Sequence, residues 1–169
     1  MTNTIDTLLK NLEEEHRHLE LLSSALERKK EAIITNHRPS LEGVLQEIDC
    51  LLVSMNILSE GRTSLILSAR TELDLEVSET PPRLEDLANA MEQIEDDRTE
   101  HLRDLRERLK SATGHIVRIS RLCAALVTHS IEHTNQFFQA VADAMTGPPV
   151  YDRHGGVRPL SRIMVDQKA

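Results

Sequence analysis

His129-Ser130-Ile131-Glu132-His133 reads H-x-x-E-H, the inverted zinc-protease signature. On a helix that spacing puts His129 and His133 on one face, where two imidazoles can share a metal. A catalytic zinc normally takes a third protein ligand, here a downstream carboxylate. No Glu follows His133, and the later acids are only Asp143, Asp152 and Asp166. Ser130 and His133 also fall on an apolar helical seam, where they serve as hydrogen-bonded register residues. Glu15-x-x-His18 is half of a di-iron ligand set, which needs a second such pair on a facing helix and two further Glu. No His at 101, 115, 129, 133 or 154 has an acid three residues earlier, so the set is incomplete. Glu15 is then a polar seam residue that limits register, and His16 and His18 are expected as solvated helix residues. No metal, cofactor or catalytic residue is expected, and the chain does not read as an enzyme.

Other chemistry is equally thin. No glycine-rich loop follows a strand, and no Ser/His/Asp or Cys/His grouping stands out. The basic run Arg103–Lys110 is mixed with Asp104 and Glu107 and has no aromatic interleaving, so it reads as a charged helix face and not as a nucleic-acid platform. Val150-Tyr151-Asp152-Arg153-His154-Gly155-Gly156 holds the only Tyr of the chain. It reads either as a surface turn or as an anchor for a partner's pocket, since Tyr brings apolar area and one hydroxyl.

Helices must position these residues. A 3-4 spaced seam runs Ile5, Leu8, Leu12, Glu15, Leu19, Leu22, Leu26, Lys29, Ile33, with seven of nine positions apolar. Asn36-His37-Arg38-Pro39 breaks it, and Ser40 is the expected N-cap of the next helix. That helix reads Leu41, Val44, Ile48, Leu51, Met55, Leu58, Arg62, Leu65, Ala69, with eight of nine apolar. The short connection predicts an antiparallel hairpin. Leu73 to Arg83, with Pro81-Pro82, reads as a loop or a frayed helix end. Leu84, Leu87, Met91 and Ile94 mark a short helix, and the period slips at Asp96-Asp97. From Thr99 to Met145 a long helix is expected, ~70 Å at 1.5 Å per residue against about 45 Å for each hairpin arm. Gly147-Pro148-Pro149 ends it. The expected fold is all-α: an antiparallel coiled-coil hairpin plus a short helix and a long C-terminal helix over residues 1–147, with a flexible tail over 148–169.

Composition agrees. The 169 residues are 2% aromatic and 28% charged, which suits long helices and argues against a β-sandwich or barrel. Residues 1–100 hold 10 Lys and Arg against 22 Asp and Glu, while the rest hold 10 against 6. That acidic first part argues against a nucleic-acid partner. No apolar run reaches a membrane span, and no secretory leader is visible. Two Cys, Cys50 and Cys123, make no disulfide framework, so a cytoplasmic location is expected.

One feature points to a partner. The long helix carries the seam Leu102, Leu105, Leu109, Ala112, Ile116, Ile119, Cys123, Leu126, Ser130, His133, Phe137, Ala140, Ala144. Beside it runs a second row. It begins as Arg103, Arg106, Lys110, Thr113, a solvated face. It continues as Val117, Ser120, Ala124, Val127, Ile131, Thr134, Phe138, Val141, Met145, seven of nine apolar. A stripe this wide exceeds what one hairpin seam covers. Three occupants compete for it: the chain's own bundle, a second copy, or a helix from another protein.

Three stretches carry a resemblance. The run from Leu8 to Leu22, helix two ending in Leu58-Ser59-Glu60-Gly61-Arg62, and the sequence from His129 to Phe138 followed by Gly147 and Tyr151-Asp152-Arg153-His154-Gly155 together resemble FlgN-type flagellar export chaperones over roughly residues 5–157. Ser120 and Cys123-Ala124 stand where that family often carries Asn. The resemblance implies a chaperone that binds the terminal helices of the hook–filament junction proteins FlgK and FlgL in the cytoplasm. It would deliver them to the export gate component FlhA. Carried onto this sequence, cargo binding maps to Val117, Ala124, Val127, Ile131, Phe137, Phe138, Val141 and Met145. Gate docking maps to Tyr151, Asp152 and Gly155. The alternative is a structural or regulatory coiled coil that forms a homodimer through the same stripe.

Overall fold

The computed structural model describes residues 2–73, 83–145, 150–151 and 157–158. Four helices follow one another: α1 (Thr2–Ile34), α2 (Arg38–Glu72), α3 (Leu84–Gln93) and α4 (Thr99–Met145). Two short strands, β1 (Val150–Tyr151) and β2 (Val157–Arg158), pair antiparallel with Tyr151 opposite Val157. The all-α expectation with a long C-terminal helix is met. The Pro81-Pro82 loop and the Gly147-Pro148-Pro149 stop lie outside the described residues, and of the expected tail only the two strands lie within them. The chain forms two compact units, Met1–Leu126 and Val127–Ala169.

In the first unit, cross-helix pairs set the directions. Arg28 meets Glu47 at 2.6 Å and Arg62 meets Glu15 at 2.6 Å, so α1 and α2 run antiparallel as the hairpin requires. Glu13 meets His101 at 3.1 Å, and the Cys123 thiol lies 3.9 Å from the Leu26 carbonyl oxygen. Both partners rise together, so α4 runs parallel to α1. Glu92 pairs with Arg103 and Glu85 with Arg106, which makes α3 antiparallel to α4.

α1 is the central helix. Its seam residues Ile5, Leu8, Leu12, Glu15, Leu19, Leu22 and Leu26 are all buried, and so is a second set, Leu9, His16, Ala25 and Ala32. One cluster joins Leu8, Leu12, Ile66, Leu87, Met91, Leu102 and Leu105. A second joins Leu22, Leu26, Val44, Ile48, Ile119 and Cys123. Helices with one apolar stripe must bury it against a neighbour, and α1 carries two because it has two.

The turns explain where helices stop. At the end of α1, Asn36 takes φ 50°, the His37 N–H donates to the Ala32 carbonyl at 3.0 Å, and the Asn36 N–H donates to that of Ile33 at 3.2 Å. This is a Schellman closure with a left-handed residue at C′. At the end of α3, Glu95 takes φ 55°, the Asp96 N–H donates to the Met91 carbonyl, and the Glu95 N–H to that of Glu92. α2 starts earlier than expected. His37, not Ser40, is the N-cap, and its ring Nδ1 accepts from the Ser40 N–H at 3.3 Å. Pro39 then sits in the first turn, where its missing N–H would have no partner anyway.

Candidate functional site

α4 changes its surroundings along its length. Leu102, Leu105, Leu109, Ile119 and Cys123 are buried in the first unit, and Cys123 is the last buried residue of the helix. Leu126 is half-buried, and every described side chain after it is exposed. The expected seam therefore holds to Leu126; Ser130, His133, Phe137, Ala140 and Ala144 continue its spacing with no cover.

The second row is open as well. In the first unit, Val117 and Ala124 are exposed. In the second unit, Val127, Ile131, Phe137, Phe138 and Val141 are exposed, Phe138 to 64% and Ile131 to 56%. The side chain of Met145 lies outside the described residues. Among the described residues, then, every side chain of the row is exposed. Phe137 and Phe138 meet edge to face, with ring centroids 6.0 Å apart. Aromatic side chains bring large apolar area with few rotatable bonds, which suits anchors in a partner's surface. The polar side of this segment is lightly charged: His129 lies 3.4 Å from Glu132, and Gln139 donates to Asp143.

The arrangement offers adhesion and no evident chemistry. His129 is open to solvent beside Glu132, and among the described residues no three His, Cys, Asp or Glu come together as metal ligands. A cleft at the α1–α2 turn is lined by Arg28, Thr35, His37, Ser40, Val44 and Glu47. No helix is long and apolar enough to cross a membrane among the described residues.

Several side chains sit where sequence spacing did not put them. His16 is buried, with Arg108 Nη2 3.4 Å from its Nδ1, and His18 is largely covered, with its Nδ1 2.9 Å from the Glu14 carbonyl oxygen. Neither is a solvated helix residue, and α4 passes beside His16. Arg103 and Arg106 are not a free solvated face either. They hold α3 through Glu92 and Glu85, and the Arg103 guanidinium keeps the Glu92 carboxyl below the usual carboxylate range. Ile94 falls just past the end of α3 and is exposed instead of packed. α2 also shows apolar side chains off its seam, Leu45, Leu52, Val53, Ile57 and Leu67, all exposed.

For the docking residues, Tyr151 lies in β1, and Asp152 and Gly155 lie outside the described residues. A family model described as FlgN protein matches residues 1–159. No curated protein and no solved structure matches the chain.

Proposed function

The chain belongs to the FlgN family, and from that premise we propose that it is a cytoplasmic flagellar export chaperone for the hook–filament junction proteins FlgK and FlgL. Family membership supports the export-chaperone role in general. The choice of cargo, the surface and the gate partner are this reading's own. One observation carries it: the row Val127, Ile131, Phe138 and Val141, with Phe137 beside it, stands exposed on a regular helix.

An amphipathic terminal helix of the cargo would lay its apolar face on this row, as helix-in-groove recognition does. Both partners then hide apolar surface that would otherwise aggregate. A cargo segment that is disordered when free loses entropy on folding, so the net affinity stays modest. That suits a complex that must release its cargo. Tyr151, with Asp152 and Gly155, would dock on FlhA apart from the cargo row, so Tyr151→Ala should spare cargo binding and weaken docking.

Isothermal titration of the purified chain with a synthetic C-terminal helix of FlgK tests the reading. Saturable one-to-one binding that Phe138→Asp removes supports it. No binding by an intact helical protein leaves FlgL as cargo, tested the same way. The exposed row equally fits a second copy of the chain. Light scattering that shows a tight dimer, dissociated by Phe138→Asp, would favour a self-associating coiled coil without cargo.

A further inference from the structure

The α4 row is not the largest anomaly on the bundle. Ile57 on α2 is 66% exposed and Val53 61%, as open as the phenylalanines of α4. Leu45 and Leu52 lie beside them and are also exposed. At 100° per residue these four occupy an arc of about 140° on α2. The buried residues Val44, Ile48, Ile66 and Ala69 lie on another side, toward α1. α2 is thus apolar both inward and outward. A helix with one neighbour needs only the inward stripe.

From Glu42 to Glu60 the charges on that outer face have one sign. Asp49 and Glu60 are exposed among these side chains and make no ion pair among the described residues. Glu42, further along the same face, is paired only with its own neighbour Arg38. Arg62, the next cation along α2, is turned inward to Glu15. Two open carboxylates thus lie beside an open apolar patch. On α4 the charges are mixed: Arg118 and Arg121 are exposed near Val117, and Glu132 and Asp143 follow further along the helix.

We propose that the outer face of α2 around Leu52, Val53 and Ile57 is a second docking surface, and that its occupant is a basic amphipathic helix of another protein. Apolar residues of that helix cover Val53 and Ile57, and its lysines or arginines meet Asp49 and Glu60. A chaperone with two such surfaces can be held by one partner while α4 carries another. The proposal stands whether or not α4 takes cargo.

The test uses the full chain carrying Phe138→Asp, so that the α4 row does not compete. The probes are two synthetic helical peptides with the same Leu/Ala stripe, one edged with Lys and one with Glu. The Lys-edged peptide should bind saturably, weaken with added salt, and bind better than the Glu-edged one. Val53→Ser with Ile57→Ser should weaken it about tenfold. Asp49→Asn with Glu60→Asn should weaken it similarly, and these surface changes cannot unfold the core. Equal binding of both peptides, or binding indifferent to either pair of substitutions, would overturn the proposal. A dimer that Val53→Ser with Ile57→Ser dissociates would assign the face to a second copy and overturn it too. Titration of the FlgK helix into the chain with Val53→Ser and Ile57→Ser alone, Phe138 intact, reads the α4 surface separately.

Discussion

Glu15 and Arg62 meet across the α1–α2 seam, with Arg62 Nη1 donating to Glu15 Oε1 at 2.6 Å. Both occupy positions that apolar residues fill elsewhere along the two seams. Arg62 also donates to the Ser59 hydroxyl at 3.3 Å and keeps part of its side chain in water. Glu15 is buried, and its Oε2 has no partner. One turn earlier, the Asn11 side-chain oxygen is also unpartnered. Two buried acceptors on one face of α1 lack a donor, which is costly unless something supplies one. The pair therefore fixes the hairpin register more than it adds stability, since a shifted seam would leave both charges against apolar side chains.

Burial pushes the Glu15 carboxyl above the usual glutamate range, and the Arg62 charge only partly opposes this. A raised carboxyl pKa means the folded chain holds a proton that the unfolded chain has lost. Its contribution to stability is complete below the unfolded value, about 4.3. It is lost as pH rises through the folded value. Glu15→Gln removes the titration, keeps an acceptor for Arg62 and adds a donor near Asn11. Its stability at neutral pH should lie within about 1 kcal/mol of wild type, equal or higher. The difference between wild type and Glu15→Gln in urea melts should shift against wild type as pH rises from about 4 to 7. A difference that moves the other way would show that Arg62 outweighs desolvation. Arg62→Ala should cost more, ~2 kcal/mol, because it leaves the buried carboxylate alone.

Glu95 is the costly residue of the α3–α4 turn. It holds the left-handed position at φ 55° that closes α3, where a side chain with a Cβ is disfavoured. Asn36 holds the same position after α1, and Asn tolerates it better. Glu95→Gly should stabilise the chain by roughly 0.5–1 kcal/mol. Asn36→Gly should change little. Thermal melts of the two variants side by side check this, and equal gains at both sites would show that the side-chain type is not the source of strain.

Much of this fold was legible because helices declare themselves by period. The α4 limits, the α3 segment and the seams of α1 and α2 follow from the spacing of apolar residues and from the breaks at Pro39 and Asp96. The open row on α4 was legible as a stripe too wide for one neighbour. What period does not reveal is which charged face a third helix will cover. Arg103 and Arg106 repeat like solvated residues, yet they hold α3, and His16 is buried although its neighbours are polar. Long charged side chains can cover apolar surface and still keep their heads in water, so their spacing marks no boundary. The outer face of α2 was hidden for the opposite reason. Its seam alone accounts for the hairpin, and nothing in that pattern asks where Val53 and Ile57 go.

Arg98 ties the α3–α4 turn to α1. Its Nε and Nη2 donate to the two carboxylate oxygens of Asp96 at 2.9 and 2.6 Å, and its Nη1 donates to Asp6 on α1 at 2.9 Å. Lys cannot form this fork, so Arg98→Lys should cost about 1–2 kcal/mol. The same hydrogen bonds hold the Asp96 carboxyl below its usual range. A depressed carboxyl pKa gives stability that is present above the unfolded value and lost as pH falls through the folded one. Arg98→Lys should therefore lose less stability than wild type on going from neutral pH to about pH 3. Urea melts at both pH values check it, and parallel losses would show that Asp96 is not held by Arg98 in solution.

The α4 row and the α4 core should respond in opposite ways to substitution. Leu105 is fully buried among the residues of α1 and α3, so Leu105→Ala should destabilise by ~3 kcal/mol. Phe138 is 64% exposed, so Phe138→Asp should change stability by no more than about 0.5 kcal/mol. Titration with the FlgK helix should give the reverse order at a temperature where both variants are folded. Leu105→Ala should bind like wild type, because its defect lies in the first unit's core. Phe138→Asp should not bind, because it puts a charge where an apolar face must land. If Phe138→Asp instead melts like a core variant, the row is covered within the chain and the cargo surface must be sought elsewhere.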